Sequence, residues 1–202
     1  MTSPLFSAAT ALFLLVGPGL ARADDTADPR ALVQAMRQGG LVIYIRHAAT
    51  ERDYADQVTA DPALCGTQRV LSEDGWQQAR AIGRAIADLG IKVGEVASSE
   101  YCRAWQTADL AFGHYTKTPA LNFEPAEEYT PEQIAAMRNR VLPLLMAEVP
   151  AGENRVVVGH DDPFEAVTGI YPEPQGVAFV LKPGADGLEV LGSIAPDQWP
   201  NP

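Results

Sequence analysis

The chain has 202 residues, 47% of them hydrophobic and 20% charged, and a formal net charge of −11. This is enough apolar material for one ordinary domain with a real core, and it excludes a disordered chain. The acidic balance argues against non-specific binding to nucleic acid or anionic membrane, and it makes the place of each arginine informative, because an acidic protein repels anions except where cations are concentrated.

Residues 1–23 read as a segment apart from the fold. Residues 4–20, PLFSAATALFLLVGPGL, are apolar or small and uncharged, and Ala21-Arg22-Ala23 forms a small-x-small site ahead of Asp24-Asp25. This is the pattern of a secretory signal peptide cut after Ala23. The run is short for a membrane span and is broken by Gly17-Pro18-Gly19. Residues 24–202 are then expected to form a single domain, periplasmic or secreted, with no further span. Cleavage removes Arg22 and no acid, leaving 14 Lys and Arg against 26 Asp and Glu, a net charge of −12. The two cysteines, Cys65 and Cys102, make an even count in an exported chain, which favours a disulfide over two buried thiols.

Asp28-Pro29 reads as a cap and first helical position, and Gly39-Gly40 ends that helix. Leu41 to Ile45 is apolar on consecutive residues, the reading of a strand buried on both faces. A polar loop over 51–70 holds Cys65 and Arg69. Ser72 then caps a helix with Glu73 and Asp74 in its first turn and with Trp76, Ala79, Ile82 or Gly83, Ile86 and Leu89 on one face. IKVGEVASS reads as a second strand ending near Ser98, and Ser99 as the cap of a helix over EYCRAWQTADLAF closed by Gly113. Thr130-Pro131-Glu132-Gln133 is a capping box, and Pro143 is expected to kink or shorten the helix it opens. Arg155 to Val158 reads as a third strand. Asp162-Pro163-Phe164-Glu165 reads as another cap and box, and the tail as a hairpin. Strands alternating with helices predict an α/β three-layer sandwich, with a mostly parallel sheet covered on both faces and an antiparallel hairpin at its edge.

Ligands of open α/β sheets bind beyond the carboxyl ends of the strands. Arg46, His47 and Thr50 follow the first strand, Ser98-Ser99 and then Arg103 the second, and Gly159, His160 and Asp161 the third. Two arginines, two of three histidines and a carboxylate therefore converge on one edge, as an anion site would require. A histidine at a strand end is ordinarily structural. Beside Arg46, and with two further motifs delivered to the same edge, His47 reads as functional. Arg103 sits in the first turn of a helix, where the dipole disfavours a cation, and a residue placed against its local preference points to function.

The segments RHAAT, SSEYCRAWQTA and VVVGHDD, in this order and each after a strand, resemble the signatures of the histidine phosphatase (phosphoglycerate mutase-like) superfamily, with Ala48 where a glycine is commoner. CGTQRVLSEDGWQQAR resembles its exported, compact bacterial members. The resemblance implies a metal-independent phosphomonoesterase without cofactors. His47 would be the nucleophile, forming a phosphohistidine, and Arg46, Arg103 and His160 would hold the phosphoryl oxygens. Thr50 has two readings, a phosphate contact or a turn cap. The general acid is Asp161, which directly follows the second histidine, or one of Glu124, Glu127 and Glu128, or no protein group. Asp162 has a cap to serve and Asp161 has none, which favours Asp161. A Cys65–Cys102 bridge would pin the 51–70 loop over the site. Arg69 reads as a solvated loop charge, His114 as a surface residue, and Trp76 and Trp105 as helix-face core. No zinc-type ligand spacing is present. A small phosphorylated substrate and a monomer are expected. The rivals are a phosphomutase and a non-catalytic phospho-ligand binding protein.

Overall fold

The computed structural model describes residues 27–53, 55–124, 126 and 128–201. The proposed signal peptide, and Glu127, lie outside them. The elements are α1 (Pro29–Gln38), β1 (Val42–Arg46), α2 (Glu73–Asp88), β2 (Val93–Ser98), α3 (Cys102–Phe112), β3 (Thr116–Lys117), α4 (Pro131–Met146), β4 (Asn154–Gly159), α5 (Asp161–Thr168), β5 (Ala178–Gly184) and β6 (Gly187–Ile194). Among the described residues no helix is long and apolar enough to cross a membrane.

The sheet order is β3-β2-β4-β1-β5-β6. β3, β2, β4 and β1 run parallel to their neighbours, and the β5–β6 hairpin joins β1 antiparallel. The unbroken apolar run of β1 is explained by its central place. Ile43 and Ile45 pack into a core with Leu32 and Met36 of α1, Ile82 and Ile86 of α2, and Ala104 and Ala108 of α3. Val42 and Tyr44 face the opposite side, with Val141 and Leu145 of α4 and Phe164 of α5. A central strand with helices on both faces has no side left for water.

Local signals set most helix ends. Asp28 accepts from the Arg30 amide, Ser72 from the Gly75 amide, and the Thr130–Gln133 box is complete. Four expectations are corrected. Ser99 does not cap α3, which begins at Cys102. The Cys102 amide instead donates to Oε1 of Gln68 at 2.7 Å, a partner brought from 34 residues away. Pro143 does not shorten α4, which runs on to Met146. Asp162 is not an N-cap: α5 starts two residues earlier than such a cap would set, after His160, and the Asp162 carboxylate accepts from the Tyr129 hydroxyl. Trp76 is 48% exposed and Trp105 only partly buried, stacked on Tyr115. Gly75 lies inward beside Trp76, against the Ala49 carbonyl, where a methyl would overlap the backbone oxygen.

Candidate active site

Strand register explains why the site residues meet. Arg46 of β1 is level with Gly159 of β4, so His47 and His160 leave two adjacent parallel strands together. Ser98 of β2 is level with Val158, which brings Ser99 beside His160. The two imidazole centroids are 5.4 Å apart. Both histidines are fully buried, and Arg46 and Arg103 nearly so. Four polar side chains at one sheet edge, out of water, form an electrostatically expensive cluster unless something compensates them.

Part of the compensation is internal. His47 Nδ1 lies 2.9 Å from the Ala48 carbonyl, which can only accept, so Nδ1 carries the proton. Nε2 is thereby left with its lone pair, and Arg103 Nε donates to it across 3.3 Å. Burial, Arg103 and Arg46 hold the His47 pKa well below the usual histidine range, against the weaker pull of the Ala48 carbonyl. The ring is neutral, and its Nε2 is unprotonated and accepts from Arg103. The Ala48 amide donates to Thr107 Oγ1, and Thr107 in turn donates to the Arg103 carbonyl, tying the loop after His47 to the helix that carries Arg103.

Each arginine already faces a carboxylate. Arg46 Nη2 meets Asp161 Oδ2 at 2.5 Å and Nη1 donates to the Pro172 carbonyl, while its guanidinium lies over the Tyr171 ring. Arg103 Nη1 meets Asp56 Oδ1 at 2.9 Å and lies against Tyr101 and Phe123. Burial pushes Asp161 upward, but Arg46, the Tyr171 hydroxyl and His47 outweigh it and hold the carboxyl below its ordinary value. Burial pulls Arg103 downward and Asp56 opposes it. Arg46 Nε, Arg69 Nε and His160 Nδ1 are buried without a hydrogen-bond partner among the described residues. The two buried arginine donors are costly in this state, and a tetrahedral anion is a group that would satisfy them.

The sequence-predicted set is therefore largely brought together: Arg46, His47, Arg103, His160 and Asp161 share one locus. Thr50 stands at its rim, with its amide and hydroxyl turned to Gln175. Glu124 pairs with Arg140 and Glu128 is exposed, so Asp161 is the one described candidate acid that contacts a site arginine. His114 is exposed, as expected. Arg69 is not a solvated charge. It is part-buried, close enough to press on His160 and Arg103, and lines a cleft of about 1010 Å³ with Thr50, Glu51, Asp74, Glu173 and Gln175. Cys65 and Cys102 are joined, with Cα atoms 5.6 Å apart. The bridge ties the loop of Asp56 and Arg69 to the residue next to Arg103. That neighbourhood held a signal for Arg69: a residue four places after Cys65 cannot lie far from Arg103 once the bridge forms. Asp56 and Tyr171 had no such signal.

This sheet order, with the site beyond the ends of the parallel strands, is a phosphoglycerate mutase-like fold. The sequence model of the histidine phosphatase superfamily (branch 1) matches residues 42–122, the stretch that carries Arg46, His47 and Arg103. Bacillus stearothermophilus YhfR shares the fold with a TM-score of 0.57 at 14% identity, over 75% of this chain and 95% of that one. The protein histidine phosphatase SixA complexed with tungstate gives 0.55 at 12% identity, over 78% and 97%. Phosphoserine phosphatase from Entamoeba histolytica in complex with phosphoserine gives 0.55 at 15%, over 76% and 95%. No curated protein sequence matches the chain. The sequence model spans β1 to the segment after β3, and the likeness to the solved structures is one of fold.

Proposed function

We propose that this protein is a phosphomonoester hydrolase that works outside the cytoplasm through a phosphohistidine on His47. The observation that carries the reading is the unprotonated, buried Nε2 of His47, aligned by Arg103 and set near Arg46 and His160. A neutral imidazole attacks phosphorus, and the N–P bond forms as the P–O bond to the alcohol breaks. Fixed guanidinium groups stabilise the charge spread over the equatorial oxygens, so no metal is required for that task. Substrate oxygens that engage Arg46 draw it from Asp161, which frees that carboxyl to bind a proton and pass it to the departing alkoxide. Water then cleaves the N–P bond. The uncharged apolar run over residues 4–20 supports export, and the similarity to phosphoserine phosphatase in complex with phosphoserine supports a small phosphorylated substrate.

The test is phosphate release from p-nitrophenyl phosphate by the mature chain in EDTA, beside His47→Ala. Release that survives EDTA and vanishes in the variant, with an acid-labile, base-stable phosphoenzyme trapped in the wild type, supports the reading. Saturable binding of the ester with no release by the folded protein would instead identify a phospho-ligand binding protein. Transfer between two positions of one substrate without net release would identify a mutase.

A further inference from the structure

His160 is held by a chain of hydrogen bonds whose direction can be worked out atom by atom. Asn122 Nδ2 donates to Glu100 Oε2 at 2.8 Å, which orients the amide. Asn122 Oδ1 then accepts from the Glu100 amide at 3.1 Å and from the Ser99 hydroxyl at 2.9 Å. Ser99 has one hydroxyl proton and has given it to Asn122. Its oxygen accepts from the Tyr101 amide at 3.2 Å, and it lies 2.9 Å from His160 Nε2. An oxygen with no proton to spare requires a donor there, so Nε2 carries the hydrogen. A neutral ring has only one N–H. His160 Nδ1 is therefore a lone pair, buried, with no partner among the described residues.

A lone pair repels a phosphoryl oxygen. The groups around His160 make this matter: Arg46 and His47 from the end of β1, Arg69 from the loop, Arg103 from α3, and Asp161 on its own helix, with Tyr44 donating to its carbonyl. Tyr101 and Phe123 close the ring off edge-on, at 5.4 and 4.9 Å. Burial first, then the Arg103, Arg69 and Arg46 cations, keep the resting ring neutral. An incoming dianion reverses the sign of that field.

We propose that Ser99, oriented by Asn122 and Glu100, is a positioning residue that fixes the Nε2–H tautomer of His160 and makes Nδ1 a proton acceptor, so that the site takes up a phosphoryl dianion together with one proton. The balance is a neutral His160, a dianion and one solvent proton on one side. On the other is a complex in which that proton lies between Nδ1 and a phosphoryl oxygen. This rests on the anion site proposed above, but not on turnover.

The probe is tungstate, a dianion with no proton of its own above neutral pH. Histidine 15N spectra of the resting protein should show Nε2 protonated and Nδ1 bare in His160, with no variant needed. Calorimetry between pH 7.5 and 8.5, in buffers of different ionisation enthalpy, should give one proton taken up per tungstate, with affinity falling about tenfold per pH unit. Spectra of the complex should place the proton on His160, and Asp161→Asn should retain the uptake. Ser99→Ala should lose most of the uptake and flatten the pH dependence, and Ser99→Thr should restore both. An Nδ1–H tautomer at rest, no uptake in the wild type, or a proton found on His47 or Asp161 overturns the inference. Failure to bind tungstate removes the anion site and overturns both readings. Absence of aryl phosphate hydrolysis with uptake intact overturns the phosphatase reading alone.

Discussion

Arg103 Nε donates to His47 Nε2 across 3.3 Å, so the lone pair of the proposed nucleophile is aligned by a buried cation. The same guanidinium is braced by Asp56 and by the faces of Tyr101 and Phe123. Arg103→Ala should lower kcat for phosphate release by about 10²- to 10³-fold, the usual cost of removing an oxyanion donor. Arg103→Lys should recover little of it, because an ammonium cannot make the Nε contact and the Asp56 pair from one planar group. Steady-state kinetics on both variants, with circular dichroism to confirm folding, checks this.

His47 and His160 are both buried with pKa values well below the ordinary histidine range. In the unfolded chain they titrate near 6.5. Below that pH the unfolded state binds protons that the folded state refuses, so their contribution is complete above about pH 6.5 and is lost as pH falls toward the folded values. Stability should therefore drop between pH 7 and pH 5, with a limiting slope of about 1.4 kcal/mol per pH unit for each ring. Denaturant midpoints across this range measure it. His160→Gln should flatten the slope, and an unchanged slope would show that this ring does not titrate as described.

The Cys65–Cys102 bridge spans 37 residues of sequence. A loop of that length constrains the unfolded chain by about 4 kcal/mol in the chain-entropy account. Cys65→Ser with Cys102→Ser, or reduction, should cost a comparable amount in urea unfolding. It should also raise KM more than it lowers kcat, because the bridge positions Asp56 and Arg69 but no atom of His47. An equal stability with and without reductant would contradict this.

Gly75 lies in the first turn of α2 with its α-carbon against the Ala49 carbonyl, which also accepts from the Ser72 amide. Gly75→Ala would force the segment after His47 aside. A loss of about 1–3 kcal/mol is expected from such overpacking, together with a fall in kcat, and thermal unfolding with activity measurements would show both. Gly66→Ala, where an added methyl meets nothing within 4 Å, is the comparison and should leave the fold intact.

The layered fold and the convergence of five candidate site residues were legible because their signals are local. β1 reads as buried on both faces from five consecutive apolar residues. Each parallel strand then ends in its own short motif, so Arg46, His47, Arg103, His160 and Asp161 could be assigned to one edge without knowing any distance. Where an expectation failed, a distant partner had replaced a local one. Gln68 accepts from the first amide of α3 in place of Ser99, and Tyr129 takes the Asp162 carboxylate in place of a helix cap. Trp76 fits the helical period yet faces solvent, because Gly75 beside it is needed at close approach to Ala49.

The amino-acid sequence by itself determined the strand–helix alternation, the disulfide partners and the cations and imidazoles at the sheet edge, since periodicity, composition and motif order act over short spans of chain. Only the tertiary structure decided the ionic and tautomeric state of the site. Asp161 lies on Arg46, Asp56 on Arg103 and Ser99 on His160, across separations of 115, 47 and 61 residues. Protonation depends on charge, burial and hydrogen-bond direction at a point in space, and the fold alone brings those groups to that point.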